Sequence, residues 1–83
     1  MLDCMTHVVF VAIQTQPGLA GDVCERLRGE RYVHNACPVH NGPYDVVLLV
    51  EVPDIADYHV LALEVLPNIV GIDDYESFIA AGV

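Results

Sequence analysis

Few side chains in this sequence can do chemistry, and their spacing decides what chemistry is open to them. His34, Cys37 and His40 fall three residues apart and bring imidazole and thiol groups together. Zinc draws its ligands to within about 2.3 Å of a single point. On one extended strand His34 and His40 would stand about 20 Å apart at ~3.3 Å per residue, with Cys37 on the opposite side. Only a bend at Pro38, or ligands from another subunit, would gather them, so no metal site is expected. A thiol nucleophile needs a base within hydrogen-bond reach and a third group orienting that base. No such set can be placed, and Cys24 falls among the apolar positions of a helix. Asp73 and Asp74 are neighbours, so a strand would point their carboxylates to opposite faces. That suits a bulge or a solvated edge better than an acid–base dyad, and neither a catalytic residue nor a cofactor is expected.

The remaining constellation is the turn Asn41-Gly42-Pro43-Tyr44-Asp45. Gly42 removes the side chain where another group would approach the backbone. Pro43 stiffens the turn, and Tyr44 offers a flat apolar surface with a polar tip. Asp45 is a carboxylate at the head of a strand otherwise built of Val and Leu. Two readings of Asp45 stand side by side: a cap for free backbone N–H groups near the turn, or an anion held out to a cationic ligand.

The elements that must carry these residues follow from hydrophobic periodicity. His7–Thr15 is β-branched and aromatic and reads as a strand, closed by Pro17-Gly18. Ala20, Val23, Cys24 and Leu27 then fall at i, i+3, i+4 and i+7, one face of a helix over 19–28. Asp22 and Arg26 lie four apart on its wet side, placed to pair, and Gly29 is a stop signal. Residues 32–39 form a weaker strand, the Gly42 turn makes a hairpin, and 44–52 is the strongest strand in the chain. Asp54 is placed to cap a second helix whose buried face is Ile55, Tyr58, Ala62 and Val65, ended by Pro67-Asn68. A last strand is expected over 69–79, interrupted by Asp73-Asp74. The order βαββαβ is the ferredoxin-like split arrangement, an α+β fold with a four-stranded antiparallel sheet and both helices on one face.

Composition bounds the function. Eighty-three residues make one domain, 1–83, and 54% apolar against 18% charged residues excludes intrinsic disorder. The apolar runs Val8–Ile13 and Val46–Val50 fall far short of the roughly 20 residues of a spanning helix. No signal peptide is visible, and three cysteines without a C-x-x-C pair suit reduced thiols, so the expected address is cytoplasmic. The formal charge is −9, with no lysine and with Arg26, Arg28 and Arg31 as the whole basic complement. Such a surface repels phosphate backbones and anionic lipid, which argues against direct nucleic-acid or membrane binding.

Two-sided strands point to assembly. A sheet with helices on one face and water on the other should alternate apolar and polar residues. Here Val9, Val11 and Ile13 oppose Val8, Phe10 and Ala12, and Val46, Leu48 and Val50 oppose Val47 and Leu49. The face that two helices leave bare would be greasy, and soluble monomers seldom expose such a patch.

Val11-Ala12-Ile13-Gln14-Thr15, then Gly18, Val23 and Leu27, then Gly42-Pro43-Tyr44-Asp45-Val46-Val47, then Leu66-Pro67, resembles the ligand-binding module of Lrp/AsnC-family regulators. Those proteins usually carry a DNA-binding helix-turn-helix before this module. The first strand begins at once in this chain, so it is similar to the stand-alone, single-domain members. The resemblance implies dimers made by packing two sheets face to face, dimers assembled into octamers or related rings, and an amino acid effector held between dimers. It places effector contacts on Gly42, Tyr44 and Asp45, and on Ser77 in the last strand. It also implies full-length Lrp/AsnC-like regulators as partners. Between Pro67 and Ser77 the chain runs about two residues longer than the family pattern, around Asp73-Asp74, which leaves the register of the last strand open. In this reading Asp45 takes an ammonium group, while the Gly42 turn and the Ser77 hydroxyl take the carboxylate of a neutral or basic amino acid.

Two alternatives remain open at this level: a small dimeric α/β-barrel enzyme of the cofactor-free monooxygenase or isomerase type, and an ACT-like regulatory domain. An enzyme would need a polar-lined cavity between the sheets. The two-sided strands carry a direct test. Static light scattering on the purified chain should return a multiple of the 9.1 kDa subunit mass, and a monomer in dilute buffer would remove the argument for assembly.

Overall fold

The β-branched run His7–Thr15 forms strand β1, and the hydrophobic period then changes to that of helix α1, Ala20–Arg28. In the computed structural model, which describes residues 6–40 and 42–80, β2 (Val33–Pro38) and β3 (Val46–Val52) follow. Helix α2 (Ile55–Val60) continues through a π turn (Leu61–Val65) and a 3₁₀ turn (Leu66–Asn68) into β4 (Ile72–Ile79). The four strands lie in the order β2-β3-β1-β4, each antiparallel to its neighbours. This is the expected ferredoxin-like βαββαβ fold.

The core is the seam between the sheet and its helices. Val9, Val11 and Ile13 pair with Val50, Leu48 and Val46 across β1 and β3, and all six are fully buried. Against them pack Val23, Cys24 and Leu27 from α1 and Tyr58, Leu61, Ala62 and Leu66 from the α2 segment. Burial pushes the Cys24 thiol above its ordinary value, which keeps it protonated and inert. The other sheet face carries Phe10 opposite Phe78, 45% and 51% exposed, beside half-buried Val47 and Leu49. Gln14, Glu51 and Glu76 interrupt that face. It is therefore greasy along β1 and β3 and more polar toward its edges.

Four local expectations are corrected. Arg26 pairs with Glu30 at 2.6 Å and Arg28 with Glu25 at 2.8 Å, so Arg26 does not meet Asp22. Glutamate at the same four-residue spacing has the longer reach, and Asp22 stands instead in the first turn, facing the positive end of the helix dipole. Gly29 does end α1, as expected, but in a right-handed conformation (φ −85°) rather than the usual left-handed one, which falls at Tyr32 (φ 75°), where the chain reverses into β2. Asp54 does cap α2, accepting from the Ala56 N–H at 3.0 Å, but the inward face drifts. Leu61 and Leu66 join Tyr58 and Ala62 in the core, while Val65 and Ile55 pack against it half-buried. Finally, β4 begins at Ile72 rather than 69, because Gly71 turns the chain first.

That turn fixes the start of β4. Gly71 has φ +105°, its carbonyl accepts from the Gln16 N–H at 2.8 Å, and an added Cβ would lie 3.1 Å from Leu19 and 3.2 Å from Val23. Both the backbone and the packing demand glycine. Gly71→Ala should cost about 1–3 kcal/mol, read as a lowered urea midpoint, while Gly21→Ala, an exposed helix position with open space, should not lower it.

Candidate functional site

A bulge sets the chemistry at one end of the sheet. Thr15 opposes Ile72, but Gln14 opposes Asp74, so Asp73 is the extra residue in β4. Side chains alternate with period two, and one inserted residue swaps every later one to the other face. Tyr75 and Ser77 consequently lie on the helix side, opposite Ile13 and Val11. Glu76 and Phe78 lie on the open side, opposite Ala12 and Phe10. The Asp73-Asp74 pair is thus the bulge that its adjacency suggested.

The β2–β3 hairpin folds over the same end of the sheet. Asn41 lies outside the described residues, as does Cys4. Gly42 is exposed with φ +106°, the left-handed conformation that the turn requires. Gln14 Nε2 donates to the Pro43 carbonyl at 2.9 Å. The Tyr44 hydroxyl donates to the Glu76 carboxylate, and that bond holds the phenol above its ordinary pKa. Between hairpin and sheet opens a cleft of about 340 Å³ lined by Gln14, Tyr44, Asp74, Tyr75 and Glu76. Among the described residues two carboxylates and no basic group line it, so its field favours a cation.

Asp45 sits beside the cleft with its backbone locked into the sheet. Its N–H donates to Ile13 O at 2.8 Å and its carbonyl accepts from Val39 N at 2.9 Å. Its carboxylate accepts the Thr15 N–H at 2.9 Å, a donor beyond the last β1–β3 pair. The capping reading of Asp45 is therefore realised, through one of its two oxygens. Ser77 is elsewhere: its hydroxyl shares a hydrogen bond with the Tyr58 hydroxyl on the helix side. The structure brings Tyr44 into the cleft, sets Gly42 and Asp45 on the hairpin flanking it, and separates Ser77 from all three. Gln14, Asp74, Tyr75 and Glu76 are lining residues that the sequence did not mark as ligand contacts. The surplus at Asp73-Asp74 marked the place but not the parity: about two extra residues were expected, which would keep the faces, whereas the bulge holds one and exchanges Ser77 for Glu76. His34 also falls at a register shift, between Val33 and Asn35. Among the described residues no three His, Cys, Asp or Glu side chains converge to hold a metal, and no helix is long and apolar enough to cross a membrane.

The fold and its turn-end cleft define a ferredoxin-like domain of the kind that serves as a ligand-binding module. The chain belongs to the Lrp/AsnC ligand-binding-domain family, whose model matches residues 8–82. No curated protein sequence matches it significantly. Among solved structures, the hypothetical protein PHS023 from Pyrococcus horikoshii is 26% identical with a TM-score of 0.82, covering 89% of this chain and 88% of that one. TTHA0845 from Thermus thermophilus is 22% identical at a TM-score of 0.86, covering 93% and 95%. The transcriptional regulator NMB0573 from Neisseria meningitidis, solved with L-methionine, is 17% identical at a TM-score of 0.80, and the match spans 92% of this chain and 50% of the regulator. The last two likenesses speak to the fold.

The Tyr58–Ser77 contact carries a pH signature. Burial pushes the Tyr58 phenol above its ordinary 10.0, outweighing the hydrogen bond with Ser77, which lowers it. The folded protein then keeps a proton that the unfolded chain releases. This contribution to stability is full below about pH 10 and is lost as pH rises through the higher folded-state value. Urea midpoints of the wild type should fall on going above about pH 10, and Tyr58→Phe should make that fall shallower.

Proposed function

We propose that the chain is a non-enzymatic effector-binding and oligomerisation module that takes an amino acid at the hairpin cleft. The observation that carries this reading is the cleft itself, an acidic recess walled by the Tyr44 ring at the turn where the family resemblance places effector contacts. The ligand's ammonium faces Asp74, Glu76 and the second carboxylate oxygen of Asp45. Backbone N–H groups of the Gly42 turn take its carboxylate. Ser77 supports the site from behind, tying β4 to Tyr58 on α2.

Assembly completes the module. Phe10, Phe78, Val47 and Leu49 form the face on which a second sheet packs, giving the dimer from which octamers or similar rings are built. Burying each such side chain is worth roughly 1.5–3 kcal/mol. The chain acts without touching nucleic acid, consistent with its −9 charge, and works through mixed assembly with full-length Lrp/AsnC-like regulators.

Calorimetry with a panel of amino acids tests the cleft. L-methionine is one member, since the Neisseria regulator was solved with it, and lysine, arginine, aspartate and glutamate complete the panel. Neutral or basic members should bind and the acidic ones should not. Asp45→Asn, which keeps an acceptor for the Thr15 N–H but removes the charge, should weaken binding about tenfold, a loss of about 1.4 kcal/mol. A preference for aspartate, or affinity unchanged in Asp45→Asn, would overturn the role given to Asp45.

A further inference from the structure

On the helix side of the sheet, remote in the fold from the hairpin, a second cavity of about 290 Å³ opens between the turn after α1 and the α2 segment. Its floor is apolar: Leu61 is buried, Val65 half-buried, and Val60 51% exposed. Its rim carries opposite charges, Arg31 and Asp57. Among the described residues these two do not pair with each other, because the ion pairs formed are Arg26–Glu30 and Arg28–Glu25. Glu30, which also lines the cavity, is thereby neutralised by Arg26. Arg31 is held in place by stacking on the Tyr32 ring, 5.3 Å from its centroid.

Two backbone irregularities border this cavity. Tyr32 adopts φ 75°, a conformation that costs a non-glycine residue energy, and it is kept there by its carbonyl accepting from Glu51 N at 3.1 Å. Leu61 and Val65, in the floor, are the two ends of the π turn, a rare geometry that recurs at functional sites. The left-handed residue positions Arg31 and Tyr32, and the π turn positions the floor.

We propose that this cavity is a second small-molecule site, which takes an aliphatic α-amino acid with its charged head between Arg31 and Asp57. The carboxylate meets the guanidinium, whose planar fork matches it. The ammonium meets the Asp57 carboxylate, and the side chain lies on Val60, Leu61 and Val65. The volume falls just below the about 300–1,000 Å³ of small-molecule sites, suiting a compact ligand. Among the described residues Arg31 is the one cation on the rim and Asp57 disfavours a second negative charge beside it, so dicarboxylic acids are excluded. The site does not depend on the hairpin reading, since the two clefts share no lining residue.

Hydrogen–deuterium exchange of the full chain, with L-leucine and L-valine as probes, locates binding directly. L-leucine should slow exchange over 30–33 and 57–65. Leucinamide, lacking the carboxylate, and 4-methylpentanoate, lacking the ammonium, should not do so at the same concentration. R31Q and D57N, each checked for folding by circular dichroism, should raise the half-saturating leucine concentration at least tenfold. The comparison of analogues needs no variant and stands even if one fails to fold. Four results would overturn the proposal: no protection with either amino acid, protection confined to the hairpin and 74–76, analogues as effective as leucine, or unchanged protection in both folded variants.

Discussion

An extended chain sends successive side chains to opposite faces, and this parity governs the molecule. At the centre of the sheet β1 and β3 align so that Val9, Val11 and Ile13 stand beside Val50, Leu48 and Val46. Those six side chains form the floor on which both helices rest. Every other placement is counted from it: Phe10 and Leu49 are left on the open face because the seam took the residues on either side of them. A slip of one residue in either strand would exchange the two faces, driving Glu51 and Gln14 into the core. The seam therefore specifies register as well as stability.

β4 shows the same rule locally reset. Asp73 adds one residue opposite the end of β1, and from there the strand runs with inverted parity. Tyr75 can then reach the α2 segment, where its hydroxyl donates to the Ala62 carbonyl at 3.2 Å. Glu76 meets Tyr44 across the cleft by the same inversion. A structural device worth one residue thus decides which side chains of β4 serve the core and which serve the recess.

How much of this could be read from the residues depends on the range of the interactions involved. The element order, the β1 and β3 cores, the buried face of α1 and the cap at Asp54 are local consequences of spacing and were legible. The π turn was not. Tyr58 and Ala62 are buried as their period implies, Ile55 and Val65 pack half-buried beside them, and Leu61 and Leu66 share that face as well. Gly29 looked like the residue to take a left-handed conformation, yet Tyr32 takes it, because the reversal into β2 falls three residues later. At the cleft, Tyr44 and the hairpin were visible from the turn residues. Gln14, Asp74 and Glu76 come from two other strands, and their convergence depends on sheet order and on a bulge. The cavity beside Arg31 was invisible for a similar reason, since it joins a strained turn to a helix far along the chain.

The carboxylate of Asp45 has two audiences. One oxygen fastens the amide of Thr15, and so the far end of the central strand; the other is available to whatever enters the neighbouring recess. Under the proposed function a positive guest there would compete with, or reinforce, a bond belonging to the scaffold, so that occupancy and the order of that strand end would share one free energy. By reciprocity, anything that stiffened the strand end, such as the proposed second copy seated on the sheet, would alter the hold on that guest by the same factor.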